Sequence, residues 1–257
     1  MGDQLKQLLP KAYTKIAESP FNEDYRGVST ALNGYTQEEL KPLPSGSDLG
    51  LGCGTPRDIV TARTARLVLD LGSGGGIDCF LAAQQVGSGG HVIGVDMTSQ
   101  MVERARYNAE VGGYKNGEFR IGEIEYLPVA NASVDLVKSN CVINLVQDHP
   151  RVFSEAFHVL KPGGRLAVCD TLTMMNLPES LLNSEAAEVT CRSFSTTQES
   201  DLTNVRDVGF QSVTIVTKDP YPEWLAFEKP MAEGLVSDMQ VSTEVIVQAA
   251  ECMVSIG

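Results

Sequence analysis

The chain has 257 residues and a formal net charge of −13, from 33 acidic against 20 basic residues. That balance argues against a surface that grips nucleic-acid phosphates, and no apolar run approaches the ~20 residues that a membrane span needs. A hydrophobic share of 42% is enough core for one domain, or one domain with an appendage.

Residues 1–20 predict an amphipathic helix, because Leu5, Leu8, Leu9, Ala12, Tyr13 and Ile16 recur at helical spacing. The start of the chain lacks the continuous apolar segment of a secretory signal. Its six cysteines therefore read as reduced thiols in the cytoplasm. Residues 21–58 are rich in Gly, Pro, Ser, Asn and Asp and predict a long loop.

Strands and helices then alternate from Ala65 to about Asp170. Leu67–Leu69 is a strand ending at Asp70, Ile77 to about Gln85 a helix, and His91–Val95 a strand ending at Asp96. A helix over Ser99–Val111, capped by Thr98 or Ser99, precedes short strands at Gly117–Ile121 and Val134–Ser139. A helix from Arg151 to Leu160 stops at a Lys161-Pro162-Gly163-Gly164 turn, and Arg165–Cys169 returns to the sheet. This order predicts an α/β fold with a doubly wound parallel sheet. Beyond Asp170 the pattern gives helices at 178–191 and 199–208, a strand at 212–216, and an ambiguous helix or strand at 243–254. Three regions follow: 1–58 covering the site, 59–172 binding a nucleoside, and 173–257 as a small C-terminal α+β part bearing on the substrate.

The chemistry concentrates between Asp70 and Asp96. The loop Gly72-Ser73-Gly74-Gly75-Gly76 lies between a strand and a helix, and glycines there let a ligand meet backbone without a Cβ in the way. Asp96, at the next strand end, suits two vicinal ribose hydroxyls. A dinucleotide G-x-G-x-x-G is not met, since its third glycine would fall on Ile77 or Cys79. The loop instead resembles the D-x-G-x-G-x-G motif of class I S-adenosylmethionine methyltransferases, a Rossmann-like family. The histidines His91, His149 and His158 are scattered and suggest neither a metal cluster nor a catalytic base.

Cys141 follows a strand in Ser139-Asn140-Cys141-Val142-Ile143-Asn144-Leu145, and in such sheets ligands bind beyond the carboxyl ends of strands. A thiol there favours a soft electrophile or metalloid. The blocks LGCG (51–54), DLGSGGGIDCFLAA, VIGVDM, GEIE (122–125), SNCVINL and HVLKPGGRLAVCD resemble arsenite methyltransferases, over about residues 49–210. That resemblance implies arsenic(III) held by Cys53, Cys141 and Cys191, next to S-adenosylmethionine. Carried over in the same way, Asp70, Gly72, Ser73, Gly74 and Gly76 take the amino-acid part, Asp96 and Met97 the ribose and adenine edge, Glu123 and Ile124 the adenine, and Asn140 the methyl-bearing end. Glutathione or thioredoxin would replenish thiols.

Two features depart from the family pattern: residues 1–52 contain no cysteine, and Arg-Ser-Phe-Ser follows Cys191 where the family has glycine-rich sequence. An organic thiol or carbon acceptor is the alternative substrate, and a non-catalytic metalloid-binding protein is a further one. Cys169 and Cys252 read as structural.

Overall fold

A computed structural model describes residues 2–18, 34–52, 54–55, 62–171, 196–217 and 250–256. The elements are α1 (Gly2–Glu18), α2 (Gln37–Leu40), β1 (Leu67–Leu71), α3 (Ile77–Val86), β2 (His91–Asp96), α4 (Ser99–Gly112), β3 (Gly117–Ile121), β4 (Val134–Asn140), α5 (His149–Val159), β5 (Leu160–Thr171), α6 (Gln198–Asp207), β6 (Ser212–Thr217) and β7 (Ala250–Ile256). The seven described strands form one sheet in the order β3-β2-β1-β4-β5-β7-β6. The first five run parallel, and β7 is antiparallel to both β5 and β6.

The order reverses at β1, because β2 lies on one side of it and β4 on the other. A crevice opens at such a switch point, beyond the carboxyl ends of the strands. The sheet's centre is covered on both faces, which is why β1 and β2 read as nearly continuous apolar runs. One core cluster gathers Leu69, Leu71, Val137, Phe153 and Leu166, and a second gathers Val68, Phe80, Val92, Val102 and Leu136.

Local sequence explains most element ends. Gly113 closes α4 in the left-handed conformation at φ 71°, as a helix-terminating glycine does. Asp148 caps α5 by accepting from the Arg151 amide at 3.0 Å, so this helix starts at His149, before the predicted Arg151. The predicted 161–164 turn is absorbed into β5, where Leu160 already pairs with Val134 and the register shifts between Val134 and Leu136. Gly163 takes φ 77° there, so a bulge replaces a free turn.

Within the predicted loop 21–58, α2 is a one-turn helix held by a capping box between Thr36 and Glu39. The predicted helix at 178–191 lies outside the described residues. The ambiguous 243–254 segment is a strand over its described part, β7.

Candidate active site

Two stretches of backbone meet above β1 and β4. Gly72, directly after β1, has φ 66°, and a Cβ on it would stand 2.5 Å from the Val142 side chain. Only glycine lets the turn after β1 lie this close to the turn after β4. Gly75 plays the same part toward the N-terminal loop, where a Cβ would meet the Ser47 carbonyl at 2.7 Å. Asn108 of α4 completes the join by donating to the Gly75 carbonyl at 2.9 Å.

These contacts enclose a cavity of about 110 Å³. Of the residues predicted from sequence, Asp70, Gly72, Ser73, Gly74, Asp96, Met97, Ile124, Asn140 and Cys141 line it. Glu123 lines a neighbouring cavity of about 500 Å³, which shares Met97, Gly122 and Glu125 with the first. Gly76 lines neither and instead caps α3 at φ 97°. Cys53 and Cys191 lie outside the described residues.

Tyr13 of α1 also lines the smaller cavity and packs with Met97 and Val142 against Leu9 and Leu145. The helix is tied down by Thr14, which donates to Gln100 at 3.0 Å, and by Arg104, which donates to the carbonyls of Ala17 (2.6 Å) and Gly46 (2.9 Å). Both anchors come from α4, so the N-terminal segment is held over the crevice by the helix that follows Asp96.

The acids around the cavity are unusual in their protonation. Burial pushes the Asp70 carboxyl up to about 7; nearby Asp78 adds to the rise, while Lys138 and a hydrogen bond from Cys79 oppose it. The Cys79 thiol donates to Asp70 Oδ2 at 3.1 Å. Burial first, then that anionic neighbour, hold this thiol well above its usual range, which makes it inert. Burial raises Asp96 as well, against the backbone donors Thr98 and Gly74. Those amides reach Asp96 Oδ1 at 2.9 Å and Oδ2 at 3.0 Å and set the carboxylate plane facing the glycine loop.

Cys141 is buried and outside any disulfide. Its φ of 58° is a rare backbone choice for a residue with a Cβ, and such outliers persist only when the surroundings over-determine them. Here the surroundings are visible. The Cys141 amide donates to the Cys169 carbonyl at 2.8 Å. Asp170 accepts from the Ile143 amide at 3.0 Å and from Asn144 Nδ2 at 2.9 Å. The end of β5 thus clamps the turn that carries Cys141 and holds its side chain at the cavity wall.

Sequence reasoning missed Tyr35, Asp78 and Lys138. Lys138 is 2% exposed and lies 3.6 Å from Asp78 Oδ1; Tyr35 donates to Asp78 Oδ2 at 2.9 Å. A charge inside the apolar run 77–83 and another inside 134–139 were the available signals, because a buried ion survives only with a partner. Tyr35 sits in a loop without period and carried none.

One thiol departs from the reduced state expected of all six. Cys169 is disulfide-bonded, and the β5–β7 register sets Cys252 opposite it.

A methyltransferase-domain family model matches residues 62–227. An arsenite methyltransferase of Halobacterium salinarum is 42% identical over 207 residues, covering 79% of this chain and 53% of the relative. A demethylmenaquinone methyltransferase of Lactococcus lactis is 30% identical over 167 residues, 63% of this chain and 62% of the relative. The crystal structure of an arsenic(III) S-adenosylmethionine methyltransferase from Chlamydomonas reinhardtii superposes with a TM-score of 0.63 at 30% identity, covering 93% of this chain and 73% of that one. The chain spans about half the length of the first curated relatives it matches, 53% and 47%. By its switch-point crevice, glycine loop and these likenesses, the chain belongs to the arsenite S-adenosylmethionine methyltransferase family, within the methyltransferase-domain proteins.

Proposed function

We propose that this chain transfers methyl groups from S-adenosylmethionine to trivalent arsenic held by the thiolates of Cys53, Cys141 and Cys191. The observation that carries the reading is Cys141: a buried thiol outside any disulfide, on a constrained backbone, at the wall of the cavity that Asp70 and Asp96 also line. A soft thiol donor selects a soft acceptor over an oxygen or nitrogen nucleophile.

The residues present fit the cofactor. Gly72 and Gly75 let the loops that wall the cavity close on one another, where a Cβ would meet Val142 or Ser47. Asp70 is a buried carboxyl suited to the cationic amino group, with Ser73 and Gly74 beside it around the amino-acid part, while Gly76, which lines neither cavity, ends the loop by capping α3. Asp96 and Met97 would meet the ribose, Glu123 and Ile124 the adenine, and Asn140 the methyl-bearing end. When bound, S-adenosylmethionine supplies a methyl carbon made electrophilic by its sulfonium.

The chain's task is then alignment. Thiolates leave the arsenic lone pair free, the new As–C bond forms as the C–S bond breaks, and the electron pair goes to sulfur. The nucleophile carries no proton, so no general base is required. The new bond takes arsenic formally from the trivalent to the pentavalent state, so release as a trivalent product needs two electrons. Two of the holding sulfurs leave arsenic as a disulfide, and the remaining one is displaced by exchange. Glutathione or thioredoxin, in a reducing compartment such as the cytoplasm, returns the disulfide to thiols. Among the described residues no helix is long and apolar enough to cross a membrane. In this reading residues 1–58 cover the site and 173–257 supply the third thiol.

Purified protein incubated with S-adenosylmethionine, arsenite and glutathione, with arsenic species separated by chromatography and elemental detection, tests the proposal. Methylated arsenic that disappears in Cys141→Ser supports it; turnover that survives that substitution refutes thiol-held arsenic. The likeness to a demethylmenaquinone methyltransferase favours an organic carbon acceptor as the second reading, for which the three cysteines would be dispensable. Persistent turnover without added thiol would remove the reductant from the scheme.

A further inference from the structure

Ala17, Leu49 and Met101 form a small apolar cluster of their own, with Tyr13 and Ile16 packed against it. The cluster shares no residue with the two that fill the sheet. It joins three separate stretches: the last turns of α1, the loop at 46–50 and the first turn of α4. The first two of these roof the cofactor cavity, since Tyr13 of α1 and Ser47, Asp48, Leu49 and Gly50 of the loop all line it.

A roof held by so few apolar side chains opens at lower cost than the sheet unfolds, so its polar ties carry much of the closure. They fall on one stripe of α4. Gln100, Arg104 and Asn108 recur every four residues, which sets them on one face of the helix. Gln100 accepts from Thr14 at 3.0 Å. Arg104 donates through Nε to the Gly46 carbonyl at 2.9 Å and through Nη1 to the Ala17 carbonyl at 2.6 Å. Asn108 donates to the Gly75 carbonyl at 2.9 Å and backs onto Gly46, where a Cβ would stand 2.6 Å from its side-chain oxygen.

Arg104 is the member of the stripe that binds both roof pieces. The Ala17 carbonyl belongs to the last turn of α1, where carbonyls lack partners within the helix and a cation is favoured. An arginine that only capped α1 would stop there. This one commits a second nitrogen to Gly46, so that segments 58 and 87 positions away meet at one guanidinium. Arg106, two positions further along α4, makes bonds of the same kind at 2.7 and 3.1 Å, but to the Phe119 carbonyl of β3.

We propose that Arg104 is a positioning residue for the methyl donor. It latches α1 to the 46–50 loop so that the two roof pieces close and open as one unit, and the latch sets how long the cofactor stays bound. Its purpose rests on the cofactor reading of the cavity, but the latch itself is testable without a ligand.

Full-length protein loaded with radiolabelled S-adenosylmethionine is chased with excess unlabelled cofactor, and the label retained over time gives the dissociation rate. Arg104→Met is expected to raise that rate about ten-fold, the size of effect of lost hydrogen bonds from a charged donor. Thr14→Val removes a lighter tie and guards against a misfolded first variant; it is expected to raise the rate about three-fold. Arg106→Met loses an equivalent arginine–carbonyl contact outside the roof and should release cofactor at the wild-type rate. Equal acceleration in the Arg104 and Arg106 variants, or wild-type rates in both Arg104→Met and Thr14→Val, overturns the assignment. Hydrogen–deuterium exchange of the ligand-free proteins reads the latch directly: Arg104→Met should speed exchange in residues 9–18 and 46–50 together, and a rise in one segment alone overturns the joint closure. Joint loosening in a protein that never binds S-adenosylmethionine upholds the latch and refutes the cofactor reading.

Discussion

Asp70→Asn isolates the electrostatic strain beneath the cavity. The unfolded chain releases the Asp70 proton near 3.8 and the folded chain near 7. Between those values folding takes up a proton, so the stability contributed by this group falls as pH rises and levels off above the folded value. The asparagine variant has no such dependence, and any fixed cost of the substitution is the same at every pH. From about pH 5.5 to well above 7, the wild type should lose about 2 kcal/mol relative to the variant, from about 1.5 units at 1.36 kcal/mol each. For a chain of this size that is a shift of roughly 4–8 °C in Tm. Thermal denaturation of both proteins at about pH 5.5 and pH 8.5 measures it. A Tm difference that is constant across the range, or that moves against the variant at high pH, would refute the placement of a buried, proton-holding carboxyl at Asp70. The same group predicts that cofactor binding near neutral pH releases a proton, because the ligand's ammonium favours the ionised carboxylate. Binding enthalpies in buffers of different ionisation heat read that release directly.

Other substitutions test separate joints. Gly72→Ala places a methyl 2.5 Å from Val142 at a φ of 66°; it should destabilise the fold by about 1–3 kcal/mol in urea denaturation and abolish S-adenosylmethionine binding by calorimetry. Asp170→Ala removes the acceptor for the Ile143 amide and the Asn144 side chain, with an expected cost of about 2–4 kcal/mol and a raised KM for arsenite, since the Cys141 turn loses its clamp. Asp201→Ala strips the buried His149 Nδ1 of its partner at 3.0 Å and should cost roughly 2–4 kcal/mol. It should leave S-adenosylmethionine affinity unchanged, because neither residue lines the cavity. Cys79→Ala should retain methylation, and Cys79 should resist iodoacetamide in the native protein, as a buried thiol held protonated does.

The parallel sheet was legible because its central strands are buried on both faces and its elements are separated by glycine or capping signals. Leu67–Asp70, His91–Asp96 and Gly117–Ile121 fall where the apolar runs put them. The start of α5 was misjudged by two residues because the cap, Asp148, precedes a proline that reads as a turn. The 161–164 segment was misjudged because a bulge and a turn share the same Pro-Gly chemistry. Of the site, the glycine loop, Asp96 and Cys141 follow from position alone, since each sits where a strand ends. The network of Tyr35, Asp78, Lys138 and Asn140 does not, because its members are brought together only by the crossover between β1 and β4. No periodicity relates residue 35 to residue 140.

Charge explains why such a network is tolerated at the floor of a binding cavity. Asp70, Asp78 and Asp96 are all buried or nearly so, and Lys138 is the buried cation among them. Three carboxyl groups surround one ammonium, and even with Asp70 holding its proton the crevice keeps a surplus of negative charge, within a chain whose net charge is −13. In a desolvated cavity that surplus attracts a cation far more strongly than it would in water. The expected methyl donor is a sulfonium and an ammonium at once, whereas its demethylated product has lost the sulfonium charge. Burial does most to raise the Asp70 carboxyl, and the negative field of Asp78 adds to it. Under the proposed function that field favours the charged cofactor over its spent form, and selection of arsenite, uncharged near neutral pH, falls to the thiols.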